Sequence, residues 1–305
     1  MKTVISFCCV ILICGCDYFN QSNEVAKIID FTEQKTPKTT IEEKDSIQKL
    51  NVAVSAIISP RETFVYYKEL FDYISKKIHY KIEFKQRKTY KEVDEMLAQN
   101  EVDLAFICTG AYVLDRKSCN LELLAVPVCY GKPLYQSYII VPISSSASSF
   151  MDLKGKTFAY TDPLSNSGKL YADKRVKELG YKNNDYFAST VFSYAHDISM
   201  QLISKRVVDG ACVDGLIFEY MAKHHPESVA QIKIIEKSEY FGISPVVIPA
   251  NLNQQTKEKI KKILLTLHED PEGMKILEKL SIDKFIEGKD ADYEKTNEMI
   301  RFIQE

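Results

Sequence analysis

Between Leu50 and Cys108 the apolar residues change their period repeatedly within about sixty positions, and that alternation constrains the fold more than any other feature. The run LNVAVSAIISP (50–60) is β-rich and stops at Pro60. In RETFVYYKELFDYISKKI the residues Phe64, Tyr67, Phe71, Ile74 and Ile78 recur at helical spacing. YKIEF alternates as a strand does, TYKEVDEMLAQN is a short amphipathic helix, and VDLAFIC is a buried strand. Strand, helix, strand, helix, strand in so short a span predicts a largely parallel sheet covered by helices.

The strands LELLAVPVCY and YQSYIIVP lead to SSSASS, a polar run suited to a crossing between domains. A second α/β series follows: KTFAYTD, a helix after Gly168, YFASTVFS, a helix after His196, VVDGACVD and IKIIEKS. SPVVIPA supplies another strand, and three amphipathic segments close the chain, one with Ile260, Ile263, Leu264 and Leu267 on one face. The expected architecture is two α/β lobes, 50–142 plus 245–305 and 143–244, joined by two crossings. The C-terminal helices return to the first lobe, and the lobes leave a cleft between them.

The N-terminal MKTVISFCCVILICGC joins one lysine to an apolar run shorter than the roughly 20 residues of a membrane span. It reads as a signal peptide over residues 1–15. Its end, Ile13, Cys14, Gly15, Cys16, matches the bacterial lipobox, so cleavage would leave Cys16 to carry acyl chains. Residues 16–49, rich in Lys, Glu, Asn, Gln and Thr, read as a flexible tether to the membrane. A net charge of -2 gives no reason to expect nucleic acid. Cys108, Cys119, Cys129 and Cys212 form no CxxC pair and lack histidines at metal-ligand spacing, so no metal or cofactor is expected. Buried thiols are the default, with a Cys119–Cys129 disulfide left open.

The stretch TDPLSNSG (161–168) stands between an apolar strand and a helix. Ser165, Asn166 and Ser167 would lie at the helix start, where free N–H groups and the helix dipole favour an anion. Read alone they are a helix cap. Gly168 permits a positive φ or a close approach. His196 begins a second helix and is able to donate a proton to an oxygen. Two such helix starts from one lobe point to an oxyanion more strongly than either does alone. A Ser/His hydrolase with Asp162 as its acid lacks the Gly-x-Ser-x-Gly elbow; binding, without catalysis, is the expectation.

DLKGKTFAYTDPLSNSG, followed by HDIS and VVDGACVD, resembles the phosphate, phosphite and phosphonate-binding proteins that serve bacterial ABC transporters. The likeness runs from about Asn51 to the C-terminus. It implies a two-lobed type II periplasmic-binding fold with a two-strand hinge, closing on a small phosphorus oxyanion outside the cytoplasm and passing it, as a monomer, to a membrane permease. A ligand sensor for a membrane receptor would share the same cleft. By position, Ser165, Asn166 and Ser167 match the family's oxyanion cradle, His196 its histidine donor, and Tyr90 and Tyr135 its tyrosines from the opposite wall. Asn166 replaces a threonine. Leu216 and Ser244 stand where the aminoalkylphosphonate binders carry carboxylates, which implies that an ammonium-bearing ligand is disfavoured, unless Asp214 or Glu219 supplies the counter-charge.

Overall fold

The computed structural model describes residues 48–305. The signal segment, the lipobox with Cys16 and nearly all of the tether lie outside the described residues. Lys49, expected to end the tether, opens the first strand.

The first half of the chain runs β1 (Lys49–Val54), α1 (Pro60–Ile78), β2 (Lys81–Lys85), α2 (Tyr90–Ala98), β3 (Leu104–Phe106), α3 (Thr109–Asp115) and β4 (Leu121–Val128). Pro60 opens α1, where its missing N–H costs no intrahelical bond. Leu50, Val52 and Val54 of β1 pack with Leu70 and Ile74 of α1, while Ala53 packs with Val93 and Leu97 of α2. One strand thus feeds two cores, and its sheet is covered on both faces, as parallel strands require.

A short strand, β5 (Leu134–Tyr135), carries the chain out of this sheet. There follow β6 (Ser137–Pro142), β7 (Thr157–Tyr160), α4 (Tyr171–Glu178), α5 (Asn183–Tyr186), β8 (Ser189–Phe192), α6 (His196–Ser204), β9 (Gly210–Asp214), α7 (Gly215–His224), α8 (Pro226–Val229) and β10 (Ile232–Lys237). The chain returns through β11 (Phe241–Gly242) to β12 (Val246–Pro249), α9 (Gln254–Thr266), α10 (Pro271–Leu280), β13 (Lys284–Ile286) and α11 (Glu294–Gln304).

The first sheet is ordered β13-β4-β12-β3-β1-β2 and the second β10-β6-β9-β7-β8. Each holds three parallel strands, β2-β1-β3 and β8-β7-β9, extended by antiparallel neighbours. The two crossings pair with each other as β5 and β11, Phe241 opposite Tyr135.

Two expected boundaries shift. The first lobe was drawn to residue 142, but β6 pairs with β9 and β10 and so belongs to the second sheet. The chain crosses at β5, before the polar run SSSASS, because the alternating apolar side chains of β6 complete the second core: Ile139 and Val141 on one face, Ile140 on the other. The last helix also departs from expectation. Met299 and Ile300 of α11 pack with Tyr171, Val176 and Phe241 in the second lobe's core. Of the three C-terminal helices, α9 and α10 cover the first sheet, through Ile260, Leu264 and Ile276. The four cysteines from Cys108 onward are free thiols, so the Cys119–Cys129 disulfide is not formed.

Candidate functional site

Every candidate side chain from the described part of the chain is buried where the two sheets' C-terminal strand ends meet. Tyr90, Tyr135, Ser165, Asn166, Ser167 and His196 are each no more than 2% exposed. For so polar a group, burial demands partners, and the partners define the site.

After β7 the chain turns at Asp162. One carboxylate oxygen accepts from the N–H of Leu164 at 2.8 Å and fixes the loop. The other accepts from the N–H of Tyr90, at the start of α2 in the first lobe, at 3.1 Å. A capping box between Thr89 and Glu92 sets where α2 begins and so aims the Tyr90 N–H across the cleft. Ser165 then caps the next helix, its Oγ accepting from the Gly168 N–H at 2.9 Å. The plain cap reading is therefore correct for its acceptor side, and its O–H proton remains a donor.

The turn is unusually wide: the Ser165 carbonyl accepts from Leu170 at 2.9 Å, a π-type spacing that places Asn166 and Ser167 at its opening. Gly168 has no positive φ. A Cβ there would lie 2.5 Å from the Thr161 side chain and 2.8 Å from Ser165 Oγ, so the close approach is to the protein's own cap. The Asn166 amide reaches the opposite wall, Nδ2 donating to Tyr135 OH at 2.9 Å.

His196 is the first residue of α6. Its N–H donates to the Ile57 carbonyl of the first lobe at 3.0 Å. Its ring Nδ1 accepts from the backbone N–H of Asp214 at 3.0 Å and lies 3.1 Å from Thr161 Oγ1. Burial pushes its pKa down to about 3, so the ring is neutral and its one proton sits on Nε2. Burial holds the Tyr90 and Tyr135 phenols well above their ordinary range, and both keep their O–H protons. The set is a neutral donor array.

Three buried polar atoms in this region have no protein partner: Ser55 Oγ at the end of β1, Tyr90 OH and Asn166 Oδ1. Leaving such atoms unmatched costs about 1–3 kcal/mol each. Two are hydroxyls that can donate to an anion. Turning the Asn166 amide over would let Tyr135 OH donate to Oδ1 and present Nδ2 as a third donor. The hydrolase arrangement is not assembled. Asp162 spends both oxygens on backbone N–H groups, and a histidine with a pKa near 3 is too weak a base at neutral pH. Among the described residues no cluster of three His, Cys, Asp or Glu side chains could hold a metal ion.

Residues that the motifs alone did not mark complete the arrangement. Asp197 Oδ1 accepts from the Ser59 N–H at 2.9 Å, a third bond between lobes. Gly110 lets α3 lie against the cradle loop: a Cβ there would fall 2.1 Å from the Leu164 carbonyl and 2.9 Å from the Asn166 nitrogen. A glycine two residues after the buried VDLAFIC run was the available signal.

A sequence model of the family described as ABC transporter, phosphonate, periplasmic substrate-binding protein matches residues 52–293. The chain belongs to this family. Among curated relatives of this phosphonate-binding family, it is 28% identical over 198 residues to the phosphonates-binding periplasmic protein of Escherichia coli, covering 63% of this chain and 58% of that one. It is 27% identical over 206 residues to the phosphate-import protein PhnD of Mycolicibacterium smegmatis, covering 64% of each. The chain thus spans less than two thirds of either relative's length. The fold is similar to that of a binding-protein component of an ABC phosphonate transporter from Pseudomonas aeruginosa, with a TM-score of 0.80, 23% identity and coverage of 85% and 87%. That likeness shows the fold, the two-lobed type II periplasmic-binding architecture.

Proposed function

We propose that this chain captures a phosphorus oxyanion, phosphate, phosphite or a small phosphonate, by closure of its two lobes outside the cytoplasm and delivers it to an ABC transporter permease. The observation that carries the reading is His196: its Nδ1 is occupied by a backbone N–H, so a neutral ring offers Nε2–H as a donor beside the Ser165–Ser167 turn. Tyr90 and Tyr135 supply phenolic donors from the other wall. Closure exchanges the anion's hydration for fixed neutral donors, which bind it without the grip of a buried lysine or arginine and so permit release. The relatives named for phosphonates and for phosphate import support the ligand class. Calorimetric titration with phosphate, phosphite and methylphosphonate tests it; no binding of any of them at millimolar concentration would refute it.

We further propose that Cys16 is acylated and tethers the domain through residues 17–48 to a membrane. Expression of the full chain should give a membrane-associated product heavier than the cleaved polypeptide by its acyl groups, and Cys16→Ser should release it to the soluble fraction.

A further inference from the structure

An apolar cavity of about 130 Å³ is walled by Ile57, Tyr67, Phe106, Leu216, Ile217 and Ile243, with Asp197, the residue after His196, also on its lining. It joins the candidate site through the partners of His196. Ile57, whose carbonyl accepts the His196 N–H, is one wall, and Asp214, whose N–H holds the ring Nδ1, is part of the polar end.

One oxygen of each carboxylate at the polar end is bonded within the protein. Asp214 Oδ1 caps α7, accepting from Leu216 at 2.7 Å and Ile217 at 3.4 Å, and Asp197 Oδ1 holds the Ser59 N–H. Burial raises Asp214 to about 7, which keeps much of it uncharged near neutrality. The remaining surface is mostly hydrocarbon and aromatic, with Ser244, Ser281 and the Cys129 thiol among its other polar or polarisable groups. A cavity of about 150 Å³ with such walls accepts a guest of benzene size.

We propose that the preferred ligand is a phosphonate with an apolar carbon substituent of butyl to phenyl size, its phosphonate on Ser165–Ser167 and His196 and its substituent in this cavity. The inference rests on the oxyanion reading above and names the substituent that reading leaves open. Each methylene moved from water onto such walls strengthens binding about fourfold, so the substituent is a major part of the affinity.

The test is calorimetry on the protein with methylphosphonate, n-butylphosphonate, phenylphosphonate and 2-aminoethylphosphonate. Butyl- or phenylphosphonate should bind at least tenfold more tightly than methylphosphonate. Leu216→Trp, which fills the cavity, should shrink that ratio below threefold; the wild-type series decides the matter if this variant fails to fold. Methylphosphonate binding as tightly as the larger ligands would overturn the inference and leave the oxyanion reading standing. So would 2-aminoethylphosphonate as the tightest ligand, since it would assign Asp197 and Asp214 to an ammonium. Binding of none of the four, nor of phosphate or phosphite, would overturn both.

Discussion

The backbone N–H of Asp214 points at Nδ1 of His196 from 3.0 Å, and this bond decides which ring nitrogen carries the proton. An N–H donor requires a lone pair, so Nδ1 is bare and Nε2 protonated. His196→Ala should weaken the best oxyanion ligand by about 1.5–3 kcal/mol, the range for a hydrogen bond to a charged group. His196→Gln, which places an amide N–H near the Nε2 position, should recover part of the loss. Nitrogen-detected NMR of the imidazole should show the Nε2–H form and no titration from pH 8 to pH 5. The folded pKa, about 3, lies below the unfolded value near 6.5. The stability that His196 contributes is therefore complete above pH 6.5 and is lost as pH falls towards 3.

Asp214 carries the opposite sign. Burial raises its carboxyl to about 7, above its ordinary 3.8. Its contribution to stability is complete below pH 3.8 and is lost as pH rises through 7, because the unfolded chain gives up the proton more readily. Asp214→Asn keeps an oxygen for the Leu216 N–H and removes the titration. Thermal unfolding of the variant should match the wild type at low pH and exceed it above pH 7. A bound anion nearby also disfavours the ionised carboxylate, so wild-type affinity should fall above pH 7 relative to the variant's. Parallel curves for the two proteins would count against this.

The strand and helix alternation was legible because period depends only on local sequence: β1 to β3 and β7 to β9 follow the apolar runs. The cradle motif and His196 were legible through residue type and spacing. The bonds between lobes were not. Asp162 and Asp197 each accept a backbone N–H from the other lobe, and a backbone N–H leaves no mark in the sequence of its donor, whether Tyr90 or Ser59. The crossing was drawn too late for a related reason. β6 is equally apolar whichever sheet it joins, and only its pairing with β9 assigns it. The helix α7 was missed because Asp214, its cap, also ends β9 with no intervening loop.

Asp197 should act on closure more than on folding. Its carboxylate joins α6 to Ser59 of the first lobe, while its own lobe's core is built from other residues. Asp197→Ala should lower ligand affinity about tenfold, from a lost charge-assisted bond of about 1.5 kcal/mol or somewhat more. Asp197→Asn retains an acceptor and should lose less. Small-angle scattering should show the Ala variant more open at a given ligand concentration; identical profiles would argue that the bond does not hold the lobes together.

Gly110 offers a steric test of the same closure. A methyl group there would sit 2.1 Å from the Leu164 carbonyl and 2.9 Å from the Asn166 nitrogen, and both are backbone atoms of the facing loop. They cannot yield as a side chain would, so Gly110→Ala forces α3 away from the cradle. Overpacking of this kind costs about 1–3 kcal/mol. The expected result is an affinity loss of at least fivefold by calorimetry. A nearly unchanged dissociation constant would show that the loop and α3 separate freely.

Tyr90 separates the cost of a buried hydroxyl from its use. Its OH is buried and has no protein partner, while its ring packs with Ala56, Cys108 and Ala111. Tyr90→Phe keeps that packing and removes the unmatched polar atom, so the ligand-free protein should be unchanged or more stable by up to about 1 kcal/mol. The same variant loses a donor to the oxyanion, and ligand affinity should fall about fivefold or more. Thermal unfolding without ligand and calorimetry with it therefore move in opposite directions. A residue whose role is packing alone would leave affinity in place, and a structural hydroxyl would lower stability on removal; either outcome would take Tyr90 out of the binding site.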